Sequence, residues 1–427
     1  VDVKVEEFKG GGVSQTSEIP ESVKRFNDTY HNEAIVGKVG IVGKKWAARL
    51  MLGLTYSQYY KEIQTGVRQE VVFGEKHRKG HSVMPSLEYR KRDLFTKGLD
   101  VALTANYNRN MNRNIDTANY KFNWRGEKMP MKSPGEQSYQ NTRSDNDNWN
   151  GTFTANYRFA QIHTITFNHV ITYSERKNTN ELVTSEADAI SKESRKNISG
   201  LSYRLVPSEK WNLSLFGKYY DQFNAGPLAT SESSGDYIRA TNTTSSFGYG
   251  AAGTYYILKP LQAKLSYEKA YRLPSTDEIF GDEDLELGTI GLRPEKSDNY
   301  NLNLSYNQQF GKHLIYVEGG LIYRNTTDYI QRRTSGYSGG KYYASHENHG
   351  KVETKGFNVA VSYSYSKWLN IGGNLTKTDV RDNVKTVQGG SDQENLGYKA
   401  RMANTPYLFA NSDLAFFWHN CIKKGNT

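Results

Sequence analysis

Residues 46–60 read Trp46-Ala47-Ala48-Arg49-Leu50-Met51-Leu52-Gly53-Leu54-Thr55-Tyr56-Ser57-Gln58-Tyr59-Tyr60. In an extended chain successive side chains point to opposite faces, so Ala48, Leu50, Leu52, Leu54 and Tyr56 share one side while Arg49, Gly53, Thr55 and Ser57 share the other. One side is apolar and ends in a tyrosine; the other is small or polar. The same rhythm recurs at Leu99, Val101, Leu103, Ala105 and Tyr107, and again at Trp149, Gly151, Phe153, Ala155 and Tyr157. It continues at Ile165, Phe167, Ile171 and Tyr173, with His169 interrupting the row. Trp211, Leu213, Leu215, Gly217 and Tyr219 repeat it, as do Ile315, Val317, Gly319, Leu321 and Tyr323. Rows that end in Tyr or Trp suit a membrane interface, where the ring is half buried and its polar tip stays wet.

No window approaches the roughly 18 apolar residues that a spanning helix needs, so any crossing of a bilayer falls to strands. A closed sheet satisfies its backbone laterally and needs apolar side chains only at alternate positions. A mean hydropathy of -0.75 is therefore compatible with a membrane protein. The hydrophobic set is only 36% of the 427 residues, yet 31 are Tyr, so the apolar character rests on amphipathic aromatics rather than on the Leu, Ile and Val blocks of a soluble core.

Short connections near Gly98, Ala160, Ser208, Pro260, Gly311 and Lys367 recur roughly every 50–60 residues. Between them lie long polar segments, about 108–148, 174–196, 220–244, 271–296, 325–351 and 376–404. Strict alternation of tight turns and long loops is the habit of outer-membrane barrels. A β-propeller blade has a similar period but packs four short strands into it, whereas two strands of roughly 9–13 residues fit here. The expected fold is all-β, a transmembrane antiparallel up-and-down β-barrel over residues 1–427, with 1–45 as an irregular loop and strand entry. The chain is expected to supply about 13–15 strands of a larger barrel, cut at both ends and without a plug domain, since plugged outer-membrane transporters have about 22.

The net charge of +10 comes from Lys and Arg mingled with Asp and Glu along loops, which reads as a solvated surface facing anionic outer-leaflet lipid and not as a nucleic-acid interface. The single cysteine, Cys421, rules out an intrachain disulfide framework.

The segment Tyr271-Arg272-Leu273-Pro274-Ser275-Thr276-Asp277-Glu278-Ile279-Phe280-Gly281, followed by Leu292-Arg293-Pro294-Glu295-Lys296-Ser297, resembles a paired motif of the TonB-dependent outer-membrane receptor family. Arg272, Pro274, Ser275 and Glu278 match its first part; Pro294, Glu295, Lys296 and Ser297 match its second. Tyr323-Arg324-Asn325-Thr326-Thr327-Asp328-Tyr329-Ile330 is similar to the family's strand exit. Asn348-His349-Gly350-Lys351 before Lys355-Gly356-Phe357 is similar to its next strand entry, and Asn404-Thr405-Pro406-Tyr407 to a late-barrel landmark. The likeness is specific over about 270–417 and rests on strand rhythm upstream. It implies a location in the cell outer membrane of a Gram-negative bacterium. It also implies capture of a scarce small molecule or chelated metal (an iron chelate, haem or cobalamin) and energised uptake driven by the TonB complex acting through an N-terminal plug. No enzymatic role and no cofactor are implied. A passive porin-type channel and a barrel-borne adhesin or enzyme are the alternatives.

Ligand contacts are sought in the loops. His346 and His349 with Tyr342 and Tyr343 offer imidazole and phenol groups to iron or haem, although His349 also lies inside the strand-entry motif. Arg332 and Arg333 at a loop base offer guanidinium forks to an anionic chelate, or are solvated loop charge. The run Asp282-Glu283-Asp284 with Glu286 lacks the alternating ligand order of an EF-hand loop. No metal ligand set is assigned. The aromatic pairs at strand ends, Tyr255 with Tyr256 and Phe416 with Phe417, fit an interfacial ring better than a stacking site.

Overall fold

The computed structural model describes residues 1–9, 12–230, 236–282, 286–338, 341–386 and 393–418; Cys421, Glu283 and Asp284 lie outside them. Fifteen strands form one sheet: β1 Tyr30–Val42, β2 Arg49–Glu62, β3 His77–Lys91, β4 Leu99–Asp116, β5 Gln140–Phe159, β6 His163–Asn180, β7 Lys192–Ser208, β8 Trp211–Ala229, β9 Tyr237–Leu258, β10 Leu261–Arg272, β11 Glu295–Phe310, β12 His313–Thr327, β13 Val352–Tyr365, β14 Leu369–Asp382 and β15 Leu408–Phe416. Each pairs antiparallel with its neighbours in chain order, an up-and-down meander whose two edges are β1 and β15. A propeller is excluded, because the strands join one continuous sheet instead of four-stranded blades.

The tight turns fall where alternation ends. β5 and β6 are joined across Ala160 and Gln161, both with positive φ, and β11 and β12 across Gly311, whose φ is +58. The polar connections differ from expectation. Residues 108–148 are mostly strand, since β4 runs on to Asp116 and β5 starts at Gln140, and β9 reaches 22 residues. Strands of 9–13 residues cross a bilayer; these continue beyond it, where water meets both faces and the apolar alternation disappears while the hydrogen-bond ladder persists. Hydropathy alone reads such extensions as loop. Within 1–45, the irregular entry holds four short strands and then β1, a regular thirteen-residue strand paired with β2 from Tyr30↔Lys61 to Val42↔Arg49.

The apolar rows project outward with no second layer against them among the described residues. Leu52 and Leu54 remain 55% and 54% exposed, and the two short helices among the described residues, Glu186–Ala189 and Thr276–Phe280, lie in loops. Aromatic rings bound the rows at both ends. Tyr249, Tyr267, Tyr300 and Tyr323 form a row of tilted rings across β9–β12, with centroids 6.2, 5.0 and 6.0 Å apart. Near the turns, His313, Tyr363, Tyr365, Trp368 and Phe416 form the opposite ring. His313 and Tyr323 are ten steps apart on β12, and ten steps of about 3.4 Å, tilted by about 40°, rise roughly 25 Å, the height of an outer-membrane apolar band.

Above the ring, a separate core caps β2–β5. Val3, Val5, Val72, Phe122 and Trp124 pack together with Val23. Beneath it Asp116, buried, accepts the backbone N–H groups of Glu136, Gln137 and Ser138 at 2.5–2.8 Å, and Lys76 Nζ lies 3.7 Å from it.

Candidate functional site

The connection from β10 to β11 carries both motif parts. Ser275 caps the helix α1, Thr276–Phe280: its hydroxyl accepts the Glu278 N–H at 3.2 Å and the Glu278 carboxylate accepts the Ser275 N–H at 2.7 Å, a reciprocal capping box. Gly281 ends the helix at φ +69, where an added Cβ would stand 2.1 Å from the Glu286 carbonyl oxygen, so only glycine fits. Arg272 ties the two parts together. Its Nη1 donates to both Glu278 oxygens at 3.0 and 3.1 Å, and its Nη2 to Glu295 Oε1 at 2.9 Å. Burial alone would raise Glu278; the Arg272 guanidinium and the Ser275 N–H hold it below the usual carboxylate range. Pro294 precedes β11. Lys296 and Ser297 open that strand opposite Tyr271 and Ala270, and Ser297 Oγ accepts Asn299 Nδ2 at 3.0 Å.

This connection turns inward, over the face opposite the apolar rows. Pro274 O accepts Gln222 Nε2 of β8 at 3.1 Å and also Lys196 Nζ of β7. Gly281 O accepts Arg176 Nη1 of β6 at 3.0 Å, Ile290 O accepts Asn242 Nδ2 of β9 at 2.9 Å, and Asp282 lies 3.5 Å from Arg78 of β3. Phe280 packs on Gly226, where a Cβ would come within 2.8 Å of the ring. Burial lowers the Lys196 ammonium, Glu278 partly opposing it.

Between α1 and the wall lies a polar cleft of about 230 Å³, bordered by Asn110, Asn112, Asn146, Asn148, Arg176 and Phe280 among others. The wall is an amide ladder, with Asn106↔Asn150, Asn108↔Asn148 and Asn110↔Asn146 directly opposed on β4 and β5. Arg176 Nε donates to Asn146 Oδ1 at 2.8 Å, while Asn108 Oδ1, Asn110 Oδ1 and Gln222 Oε1 are buried with no donor among the described residues. Such a surface offers hydrogen bonds in both directions with little net charge. Reading the sequence by apolar rows passed over it, although the signal was present: asparagine at every second position from 106 to 114.

The loop candidates lie on a hairpin, Ile330–Ser338 with Lys341–Asn348, joined by Glu286–Leu287 in a three-stranded sheet. Arg332 faces His346 across it. Both arginines are paired, Arg332 Nε to Glu286 at 2.6 Å and Arg333 Nε to Glu347 at 2.9 Å. Tyr343 is half-buried; the Tyr342 side chain lies outside the described residues. His346 Nδ1 is buried with no hydrogen-bond partner among the described residues. His349 sits away from this hairpin face, its Nε2 2.9 Å from Asp382 Oδ2 of β14 without the alignment of a hydrogen bond. Among the described residues, no three His, Cys, Asp or Glu side chains come together as a metal-ligand group.

A family model described as TonB dependent receptor-like, beta-barrel, matches residues 25–423. No curated protein matches the sequence. Solved structures with a similar fold include the copper transporter OprC, at 11% identity and TM-score 0.66, covering 99% of this chain and 60% of that one. The siderophore receptor PiuA from Acinetobacter baumannii, at 13% identity and TM-score 0.62, covers 92% and 63%. The FrpB iron transporter from Neisseria meningitidis, at 12% identity and TM-score 0.58, covers 89% and 55%. The chain thus spans less than two thirds of the length of these structures.

Proposed function

Because the chain belongs to the TonB-dependent receptor β-barrel family, we propose that it forms most of the barrel of an outer-membrane receptor for energised uptake of a scarce solute. The solute class is an iron chelate, haem or cobalamin. The TonB complex supplies the energy through a plug in the complete protein, since the outer membrane holds no nucleotide pool of its own. The observation that carries this reading is the two-sided sheet: an unpartnered apolar outer face about 25 Å high between aromatic rings, and a polar inner face over which the motif loop is folded.

A barrel of this kind contributes shape and binding, and no step of bond-making is asked of it. The solute would descend from the hairpin to the amide-lined cleft. Arg332, Arg333, Tyr342, Tyr343, His346 and His349 are proposed as contacts on the way in. Of these, His346 has the best support, because a buried imidazole nitrogen without a donor or acceptor is costly unless something reaches it.

The test is uptake by cells with and without the full-length gene, using ⁵⁵Fe-labelled ferric hydroxamate, haem and cobalamin in turn. Loss of uptake of one of these on deletion, and its abolition by an uncoupler of the inner-membrane proton gradient, is the expected result. Uptake indifferent to the uncoupler assigns the barrel to the passive channels instead.

A further inference from the structure

We propose that the cleft beneath α1 is a subsite for an uncharged, ring-sized polyol group of the incoming solute, a pyranose in chemical terms. The proposal rests on the uptake reading above and names the part of the solute that this cleft takes. The inner face of β4 carries asparagine at 106, 108, 110, 112 and 114, and these amides fall into two sets. Three are engaged: Asn106 Oδ1 accepts Asn150 Nδ2 at 3.2 Å, Asn112 Oδ1 accepts the Tyr59 hydroxyl at 2.8 Å and Asn114 Oδ1 accepts Arg78 Nε at 2.5 Å. Between them, Asn108 and Asn110, together with Asn148 directly opposite Asn108 on β5, make no side-chain hydrogen bond among the described residues. Asn110 and Asn148 border the cleft.

The open set is a compact patch. Asn108 and Asn110 stand about 7 Å apart along one strand, and Asn148 lies about 5 Å across from Asn108, a triangle over which a six-membered ring spreads its hydroxyls. The Oδ1 atoms of Asn108 and Asn110 are shielded, and a shielded acceptor is costly until a donor reaches it. Each hydroxyl of a polyol donates once and accepts twice, which suits a patch of carboxamides that both donate and accept. The cation beside the patch is already spent: Arg176 donates to Asn146 Oδ1 at 2.8 Å and to Gly281 O at 3.0 Å, and lies 3.6 Å from Asp277. The open groups are therefore amides, which favour a neutral occupant over a carboxylate or phosphate. Phe280, also at the border of the cleft, adds an aromatic surface for the C–H face of such a ring. At about 230 Å³ the cleft is smaller than the roughly 300–1,000 Å³ pockets that enclose a drug-sized ligand, so it takes one ring and not a whole macrocycle.

The experiment is saturation-transfer NMR on the full-length protein, held in lauryldimethylamine oxide so that no detergent sugar competes, with methyl glucopyranoside, methyl glucuronate in its anionic form and cyclohexanol as probes. The neutral glucoside should bind most tightly. The N110L/N148L variant should bind it roughly 25-fold more weakly, about fivefold per hydrogen-bonding amide removed, whereas N156L, which removes an amide engaged with Thr166 lower on β5, should bind as wild type. No binding of the glucoside, glucuronate or cyclohexanol bound as tightly as the glucoside, equal binding by N110L/N148L and wild type, or equal weakening in N156L overturns the subsite. If the double variant fails to show heat-modifiable migration, the single N110L and N148L variants are read by the same assay, each expected about fivefold weaker, and the ranking of the three probes on wild type needs no variant at all. Loss of the glucoside site leaves energised uptake standing, whereas uptake that ignores an uncoupler overturns the receptor reading and leaves the binding result in place.

Discussion

Arg272 at the end of β10 and Glu295 at the start of β11 meet at 2.9 Å, and the same Glu295 oxygen accepts the Ile330 N–H at 2.8 Å. One ion pair thus closes the base of the motif loop and anchors the first residue of the hairpin beyond β12. Replacing Arg272 by Gln leaves two carboxylates, Glu278 and Glu295, each only 14% exposed in its side chain, facing each other without a cation. The expected cost is about 1–3 kcal/mol of local stability, below that of a fully buried pair because Arg272 is partly exposed. Hydrogen exchange should quicken over 273–294 and 330–348 while the sheet keeps its protection. Unchanged exchange in both segments would show that other contacts hold the loop.

The outward rows make a directional claim about lipid. Leu54 is exposed and sits between Gly37 of β1 and Pro85 of β3 in the apolar band. Leu54→Arg places a charge where the bilayer would be and should destabilise the assembled full-length barrel by about 2–4 kcal/mol, read as a lower urea midpoint in lipid vesicles. Thr55→Arg points to the opposite face and should cost far less. Equal effects at the two positions would contradict the assignment of faces.

Both the strand order and the identity of the faces were legible in the rows ending in Tyr56, Tyr107, Tyr157, Tyr219 and Tyr323, because lipid enforces alternation on every residue within the band. Above the band that enforcement ends. Asn108 to Asn114 and Ser144 to Asn148 alternate small polar side chains with mostly charged ones, so a hydropathy reading makes them loop while the ladder Asn110↔Asn146 shows strand. The motif residues were also legible as a group, but their direction was not: nothing in Pro274-Ser275 tells that its carbonyl will meet Gln222, 52 residues earlier in the chain. Arg332 and Arg333 were recognisable as charged loop residues, whereas their partners Glu286 and Glu347 depend on a three-stranded packing that only the fold defines.

Glu136 gives the loop cap a pH dependence. Burial pushes its carboxyl up to about 7, against the opposing hydrogen bonds from the Gly74, Glu75 and Lys76 N–H groups, with Asp116 adding to the rise. Folding therefore favours the protonated form. The stabilisation it brings is complete below the ordinary carboxylate pKa of 4.5 and is lost as pH climbs through about 7. Proteolytic nicking within 117–139 should accelerate from pH 5 to pH 8 in the wild type and be nearly flat in E136Q, which stays neutral throughout. A wild type nicked faster at pH 5 than at pH 8 would reverse the sign.

Gln222 is fully buried and ties α1's approach to β8 by hydrogen bonding, donating to both Pro274 O and Asn224 Oδ1 at 3.1 Å. Gln222→Leu preserves bulk and removes the donor. Asn224 keeps its bond from Ser194 at 2.8 Å, so the loss falls on the Pro274 carbonyl, which is left to Lys196 alone. A buried acceptor deprived of a partner costs about 1–3 kcal/mol, and because burial already disfavours the Lys196 ammonium, that lysine cannot make up the difference without itself becoming harder to keep charged. Exchange over 273–282 should rise roughly 5- to 150-fold, the factor corresponding to that range at about 1.4 kcal/mol per decade, with the core of β8 unchanged. In Gln222→Glu the amide donor is also lost, but the new carboxylate faces Lys196 and restores a charge partner. Its exchange should therefore fall between wild type and Gln222→Leu, and an order with Glu worse than Leu would mean that Lys196 does not share this site with Gln222.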